Sequence, residues 1–198
     1  MGLDTVELIF YFEKHFQLTI SDAAAGRIGT VGEMAAWLGQ QLNTTGQRES
    51  AVRENVATHL RELFALAATL PAPEIEGTPL LQLLPSRAAL ARHATLLLTR
   101  HGLQLPELPI IAPLRPSGWL ARLFGSDQLP PKPALTTSTL ADLIDWTVAL
   151  NYEVLLGPPY QNQYDVEQAA IGLTSDKSGV DVPEIRLSSS FTNDLGMD

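Results

Sequence analysis

The chain contains no cysteine among its 198 residues, which excludes disulfide bonds, thiolate nucleophiles and zinc-thiolate sites. It has no apolar run near the roughly 18 residues of a membrane span, and its N-terminus lacks the basic and apolar regions of an export signal. Glycine-rich phosphate loops, nucleophile elbows and histidine pairs at i and i+4 are also missing. We therefore expect a cytoplasmic protein with no membrane span, no metal site and no enzymatic activity.

Basic residues are scarce outside the middle of the chain. Residues 51–150 hold eight Lys or Arg and eight Asp or Glu, whereas the two ends together hold five basic and fourteen acidic residues. The whole formal net charge of -9 therefore lies on the terminal segments. An acidic surface disfavours nucleic acid as a partner and favours basic protein surfaces.

The pattern that the sequence does show is helical. No segment alternates apolar and polar residues over a strand's length, so we expect an all-α fold without a substantial sheet. Helices are predicted over Val52–Thr69 and Val166–Ser175. Another helix begins near residue 3, and its spacing predicts a buried face made of Leu3, Val6, Ile9, Phe10, Phe12 and Phe16.

Two capping patterns mark the start of further helices. Thr30 is followed three residues later by Glu33, and Thr139 is followed by Asp142, which is a weaker version of the same capping box. The helices that they open carry Trp37 and Trp146 on apolar faces. We assign both tryptophans to the core.

The two ends of the chain, joined tail to head, align with its middle. Val182-Pro-Glu-Ile185 matches Ala72-Pro-Glu-Ile75, and Thr30 to Trp37 matches Thr139 to Trp146. An ungapped register across the junction pairs Leu3 with Leu90, Phe10 with Leu97 and Gln17 with Gln104. We interpret this as an internal repeat in which copy A is split across the chain ends and copy B is continuous.

This interpretation divides the chain into five parts. Residues 1–42 are the second to last helices of copy A, and 166–198 are its first helix and following loop. Residues 51–150 form copy B, with a proline-rich insertion at 106–133. A polar link at 43–50 is expected to be flexible, and a stiffer link at 151–165 contains three tyrosines.

The joined ends also carry a motif. Phe191-Thr-Asn-Asp-Leu-Gly-Met-Asp198 followed by Gly2-Leu-Asp-Thr-Val-Glu-Leu8 resembles the F-x-x-D-L-G-x-D-S-L-D-x-V-E-L motif of acyl carrier proteins. In that family the serine carries a phosphopantetheine arm at the start of the second helix, where the positive helix end stabilises the phosphodiester. Nearby acids bind basic grooves on partner enzymes. The matching acids here are Asp194, Asp198, Asp4 and Glu7.

The serine itself is replaced. Gly2 occupies its position and has no hydroxyl, so a phosphodiester cannot form there. In copy B the equivalent position is Ala89, and Ser86, three residues earlier, is a poor substitute that fits a helix N-cap better. No cofactor is expected, and phosphopantetheine could be attached only through another serine.

Copy B differs further from the family. Its second helix carries Arg87, Arg92, His93, Arg100 and His101, so the sign of the recognition surface is reversed. This face either is simply solvated or binds an acidic partner such as copy A. Within the insertion, Trp119 and Phe124 need a place to bury their side chains, which is either the core of copy B or a partner protein.

The resemblance implies two small acyl-carrier-like helical bundles, one of them circularly permuted or completed by domain swapping in a homodimer. Two functions follow from it. The first is a noncanonical acyl-carrier-like protein that acts by binding carrier-dependent enzymes and lacks its own arm. The alternative is a phosphopantetheine-bearing carrier of fatty-acid, lipid or secondary-metabolite synthesis. A third interpretation is that the order is engineered or reflects a rearranged gene.

Overall fold

The computed structural model describes residues 5–47, 49–66, 72–108 and 137–197, with the backbone alone for residues 72 and 73. These ranges form ten α-helices and no β-strand, and only isolated bridges join extended residues. The predicted all-α fold is confirmed. The helices are α1 Thr5–Phe16, α2 Asp22–Ala25, α3 Val31–Gln41, α4 Ala51–Leu63, α5 Ala72–Glu76, α6 Leu80–Leu83, α7 Arg87–His101, α8 Leu140–Leu150, α9 Tyr152–Leu155 and α10 Gln163–Ser178, followed by a 3-10 helix at Val182–Glu184.

Helix α10 lies at the centre of the molecule. It packs mainly on α3 and α8, and also on α1 and α9. Ten of its sixteen residues are buried, which is why its sequence shows almost no amphipathic pattern. Gly172 allows the closest approach, because a Cβ at this position would overlap the backbone oxygen of Ala149 in α8.

The second packing centre is α4, which contacts α8 and α7. Fully buried residues of both predicted copies, such as Phe12 and Leu38 in one and Leu60 and Ile144 in the other, belong to a single apolar cluster. The two halves therefore share one core through α10 and α8. The division into two carrier-like bundles stays a prediction.

The C-terminal segment folds back onto the start of α3. Phe191 N donates to Gly29 O at 3.0 Å, and Val31 N donates to Ser189 O at 3.1 Å. These two bonds bracket Thr30, the N-cap of α3. Residues 189–191 and residues 29–31, which the repeat assigns to the same copy, thus lie together.

The middle of the chain contains the same arrangement. Leu80 N donates to Ser138 O, and Leu140 N donates to Thr78 O, both at 2.9 Å. These bonds bracket Thr139, the N-cap of α8. A similar pair of backbone bonds therefore holds the segment after each Pro-Glu-Ile sequence against a capped helix.

Both predicted capping patterns are present. Glu33 accepts from the backbone of Thr30 at 3.0 Å, while the Thr30 hydroxyl accepts from Glu33 N at 3.2 Å. Asp142 accepts from the backbone of Thr139 at 2.7 Å and from its hydroxyl at 3.0 Å. Trp37 and Trp146 are half-buried against the core, as expected.

In the second helix, the ungapped register across the chain ends does not pair residues of similar burial. It pairs Phe10, which is 58% exposed, with Leu97, which is fully buried. A shift of two residues pairs Leu97 with the fully buried Phe12 instead. The same shift pairs Gln17 with Gly102, which follow α1 and α7 and have left-handed φ values of 55° and 69°.

The segment at 43–50 was predicted to be a flexible link, but it is hydrogen-bonded to the second link. Thr45 N donates to Gln161 O at 3.0 Å, and Gln163 N donates to Thr45 O at 3.1 Å. In the second link α10 begins at Gln163, inside the range 151–165. The tyrosines of this link are all buried: Tyr152, Tyr160 and Tyr164.

Candidate partner-binding face

Helix α1 has two apolar sides. Leu8, Phe12 and Phe16 are spaced by four residues and are buried in the core. Val6 and Phe10 were predicted to be buried with them, and this prediction is wrong. Val6 is 75% exposed and Phe10 is 58% exposed. Lying on neighbouring turns, the two side chains form a small apolar patch, a feature that suits contact with another molecule.

The exposed side of α1 also carries charges. We call the surface formed by Val6, Glu7, Phe10 and Lys14 the outer face of α1, since all four side chains are exposed and lie on the same side of the helix. The Glu7 carboxylate accepts from the Tyr11 hydroxyl at 3.4 Å. This predicted partner-binding acid therefore lies beside two exposed apolar side chains.

The edge of the outer face is fixed to the rest of the molecule. Lys177, near the end of α10, lies 4.6 Å above the ring of Tyr11, and the rings of Phe10 and Tyr11 meet edge to face at 6.0 Å. The Asp176 carboxylate, which accepts a hydrogen bond from Lys177, raises the pKa of that amine. At this edge of the outer face, α1 is therefore packed against α10.

Asp194 stabilises a turn near the C-terminal end of the described residues. Its carboxylate accepts from Ser190 N at 2.8 Å, and its own N–H donates to Ser190 O at 3.1 Å. The half-buried side chain therefore closes the turn that lies against the start of α3. Contact of Asp194 with a partner stays a prediction.

Ser86 is the N-cap of α7, as expected. Its hydroxyl accepts from Ala89 N at 3.1 Å, and the residue is exposed. Five other predicted site residues lie outside the described residues: Gly2, Asp4, Trp119, Phe124 and Asp198.

The basic helix of the middle region divides into two sides. Arg87, Arg92 and Arg100 are exposed, whereas His93 and His101 turn toward α4. The expectation of one continuous basic face is therefore wrong for the histidines. The exposed arginines still give α7 a positive surface, unlike the outer face of α1.

Sequence reasoning missed an ion-pair network beside α4. Arg53 donates from Nε to Asp145 at 2.8 Å and from one terminal nitrogen to Glu76 at 2.8 Å, and Arg61 also donates to Glu76, at 2.9 Å. Tyr164 donates to Asp145 at 2.7 Å. The partners are distant in sequence and follow no spacing rule, so no local pattern predicts them.

The network shifts several pKa values. Burial opposes the charged form of Arg53, but hydrogen bonds and charges from Glu76 and Asp145 raise its pKa. Burial and the neighbouring Asp145 raise the pKa of Tyr164. Because Arg53 is satisfied by two carboxylates, we interpret the groove beside it, of about 580 Å³, as a consequence of helix packing and not as a ligand site.

Within the described residues, no group of three or more His, Asp or Glu side chains could hold a metal ion. None of the described helices combines the length and the apolar character that crossing a bilayer requires.

No family model matches the chain, and no solved structure matches it. The resemblance to acyl carrier proteins therefore depends on the motif residues themselves.

Proposed function

We propose that this chain is a noncanonical acyl-carrier-like protein that binds carrier-dependent enzymes through the outer face of α1 and has no phosphopantetheine arm of its own. The observation that carries the proposal is the exposure of Val6 and Phe10 beside Glu7. The acyl-carrier motif ends in this helix, and the acids of that motif bind basic enzyme surfaces in the family. Gly2 stands where the family has its modified serine.

The backbone bonds around Thr30 support the topology in this proposal. They hold the turn that carries Phe191 and Asp194 beside the helices that follow the motif. The comparable bonds around Thr139 fit a second, degenerate copy in the middle of the chain. We favour a permuted copy completed within one chain over a copy completed by exchange between two chains, because the segment after α10 reaches the start of α3 of its own chain.

A phosphopantetheinyl transferase provides a suitable probe for the outer face of α1, because it must bind acyl carriers. The chain is added as a competitor while the transferase loads a standard acyl carrier protein from coenzyme A. We expect the chain to slow loading. Phe10→Ser should weaken this inhibition about tenfold, as expected when a central apolar contact is lost.

The matched control is Leu98→Ser, because Leu98 is 52% exposed on α7, away from the outer face of α1. This variant should inhibit loading as the unmodified chain does. The proposal is contradicted if the chain does not compete at any concentration, or if the two serine variants lose inhibition equally.

One observation favours the second candidate, a phosphopantetheine-bearing carrier. Ser86 is exposed at the start of a fifteen-residue helix, a location whose positive end suits a phosphate. In that case the transferase would attach the arm to the peptide containing Ser86, and Ser86→Ala would abolish the attachment. An unmodified Ser86 in the loaded sample would rule out this candidate.

A further inference from the structure

Three of the four histidines of the chain lie at one helix interface, between α4 and α7. His59 of α4 and His101 of α7 stack with their ring centroids 3.8 Å apart and their planes 22° apart. Two turns earlier on α7, the ring of His93 lies 4.9 Å from that of Phe64. Each of these two ring contacts between the helices therefore includes a titratable imidazole.

The interface suits neutral imidazoles. Nδ1 of His59 and Nδ1 of His93 are buried and have no hydrogen-bond partner among the described residues. Protonation there would create a buried N–H without an acceptor. If His59 and His101 were both protonated, two positive charges would also face each other at stacking distance.

Among the described residues, the rest of the α7 packing comes from a short apolar stripe in which Leu90 and Ala94 are only partly buried. Leu97 is its only fully buried residue. After the helix ends, Asn151 bonds to both backbone groups of Gln104, at 2.9 and 2.8 Å, which ties the following loop to the end of α8. Because α7 carries three arginines and no acid, further positive charge on it is unfavourable.

The charged groups around the histidines favour the neutral form. Burial and the charge of His101 lower the pKa of His59, while Glu62 opposes this shift. Burial and Arg92 lower the pKa of His93. The acids that reach α4 from α5 and α8, Glu76 and Asp145, face arginines instead.

We propose that the stacked pair of His59 and His101 makes α7 an acid-released helix, which is packed on α4 at neutral pH and separates from it as the pH falls below about 6.5. The loop at Gln104 keeps the released helix attached to α8. This device is independent of the proposed enzyme-binding function, because it lies on the opposite copy from the outer face of α1. Separation of the two helices would expose the side of α7 that faces α4, which carries His93, Leu97 and His101.

The absence of cysteine allows a direct test. Ala94→Cys places one thiol on the half-buried inner side of α7, and Thr174→Cys places one in the fully buried centre of α10 as a control. Each full-length variant is treated with 4,4′-dithiodipyridine, which reacts with thiols at acid pH. Rates are divided by those of the denatured chain at the same pH.

Between pH 7.5 and 5, the protection of Cys at position 94 should fall by at least about tenfold, the change that one proton taken up on opening produces over one pH unit. Protection at position 174 should stay constant. In a His59→Phe/His101→Phe background, which keeps two stacked rings without ionisation, the fall should become clearly smaller, because only His93 can still take up a proton when α7 separates. A His59→Gln/His101→Gln background should behave in the same way.

Three results would each overturn the proposal. The first is unchanged protection at position 94, and the second is an equal loss at positions 94 and 174, which would indicate global unfolding. The third is a full pH response in the folded Phe or Gln background, with folding at pH 7.5 checked by circular dichroism.

Discussion

Glu76 lies between two arginines, and this single carboxylate connects α5 to α4. It accepts hydrogen bonds from Arg53 and Arg61, and its side chain is only 16% exposed. Burial alone would raise the pKa of Glu76, but the bonds and charges of the two arginines hold it below its ordinary value of 4.5. A carboxylate with a lowered pKa stabilises the fold above its unfolded pKa and loses that effect at lower pH.

We therefore expect Glu76→Gln to lower the free energy of unfolding by about 1–2 kcal/mol at pH 7. The difference from the unmodified chain should shrink as the pH falls below about 4.5, where the native carboxylate also becomes neutral. Urea unfolding followed by circular dichroism at both pH values measures this.

The control is Glu54→Gln. Glu54 also pairs with Arg61, but its side chain is 62% exposed, so its loss should cost less than about 0.5 kcal/mol. An equal cost for the two variants, or a difference for Glu76→Gln that does not change with pH, would contradict the account of the network.

At the scale of elements, α10 packs against four other helices. Its contact with α8 is close because Gly172 has no side chain between the two backbones. A methyl group there would overlap the backbone of Ala149 and the ring of Tyr152, neither of which can move without shifting a helix. The situation at Gly39 differs, because the overlapping atom is the end of the flexible Gln163 side chain.

Gly172→Ala should accordingly lower the free energy of unfolding by about 1–3 kcal/mol, despite the better helix propensity of alanine. Gly157→Ala is the matched control, because a Cβ there meets no atom within 4 Å, and its effect should stay within about 0.5 kcal/mol. Thermal and urea unfolding of both variants test this. A neutral Gly172→Ala would mean that α8 and α10 are less closely packed than described.

The starts of two helices could be predicted from the sequence, but the buried side of α1 could not. Local signals located the capped helices at Thr30 and Thr139, since a capping box depends on residues three apart. The orientation of α1 was not predictable from its own residues, because apolar side chains lie on both of its sides. The distant α10 helps decide which side is buried, and this left Val6 and Phe10 exposed.

Contacts between distant segments were missed for the same reason. The pairing of Thr45 with residues 161 and 163 turns a polar link into an ordered one, and the stack of His59 with His101 joins positions 42 residues apart. Neither has a local pattern. The candidate site was therefore found in part: the motif predicted Glu7, but the apolar residues beside it were assigned to the core.

At the scale of the whole molecule, the proposed permutation predicts the oligomeric state. The segment that follows α10 bonds to α3 of the same chain through Phe191 and Ser189. We expect a monomer of 21.5 kDa across micromolar concentrations. Size-exclusion chromatography with light scattering measures the mass, and a stable dimer that dissociates only on unfolding would favour the exchanged form instead.

The central claim is that the chain presents the binding face of a carrier without the arm of one. Intact-mass measurement tests it most directly, after incubation of the full chain with a phosphopantetheinyl transferase and coenzyme A, beside a standard acyl carrier protein as the positive control. Because Gly2 has no hydroxyl and Ser86 caps a helix, we predict that the mass of the chain stays unchanged while the control is fully loaded. A stoichiometric gain of one phosphopantetheine would contradict the account.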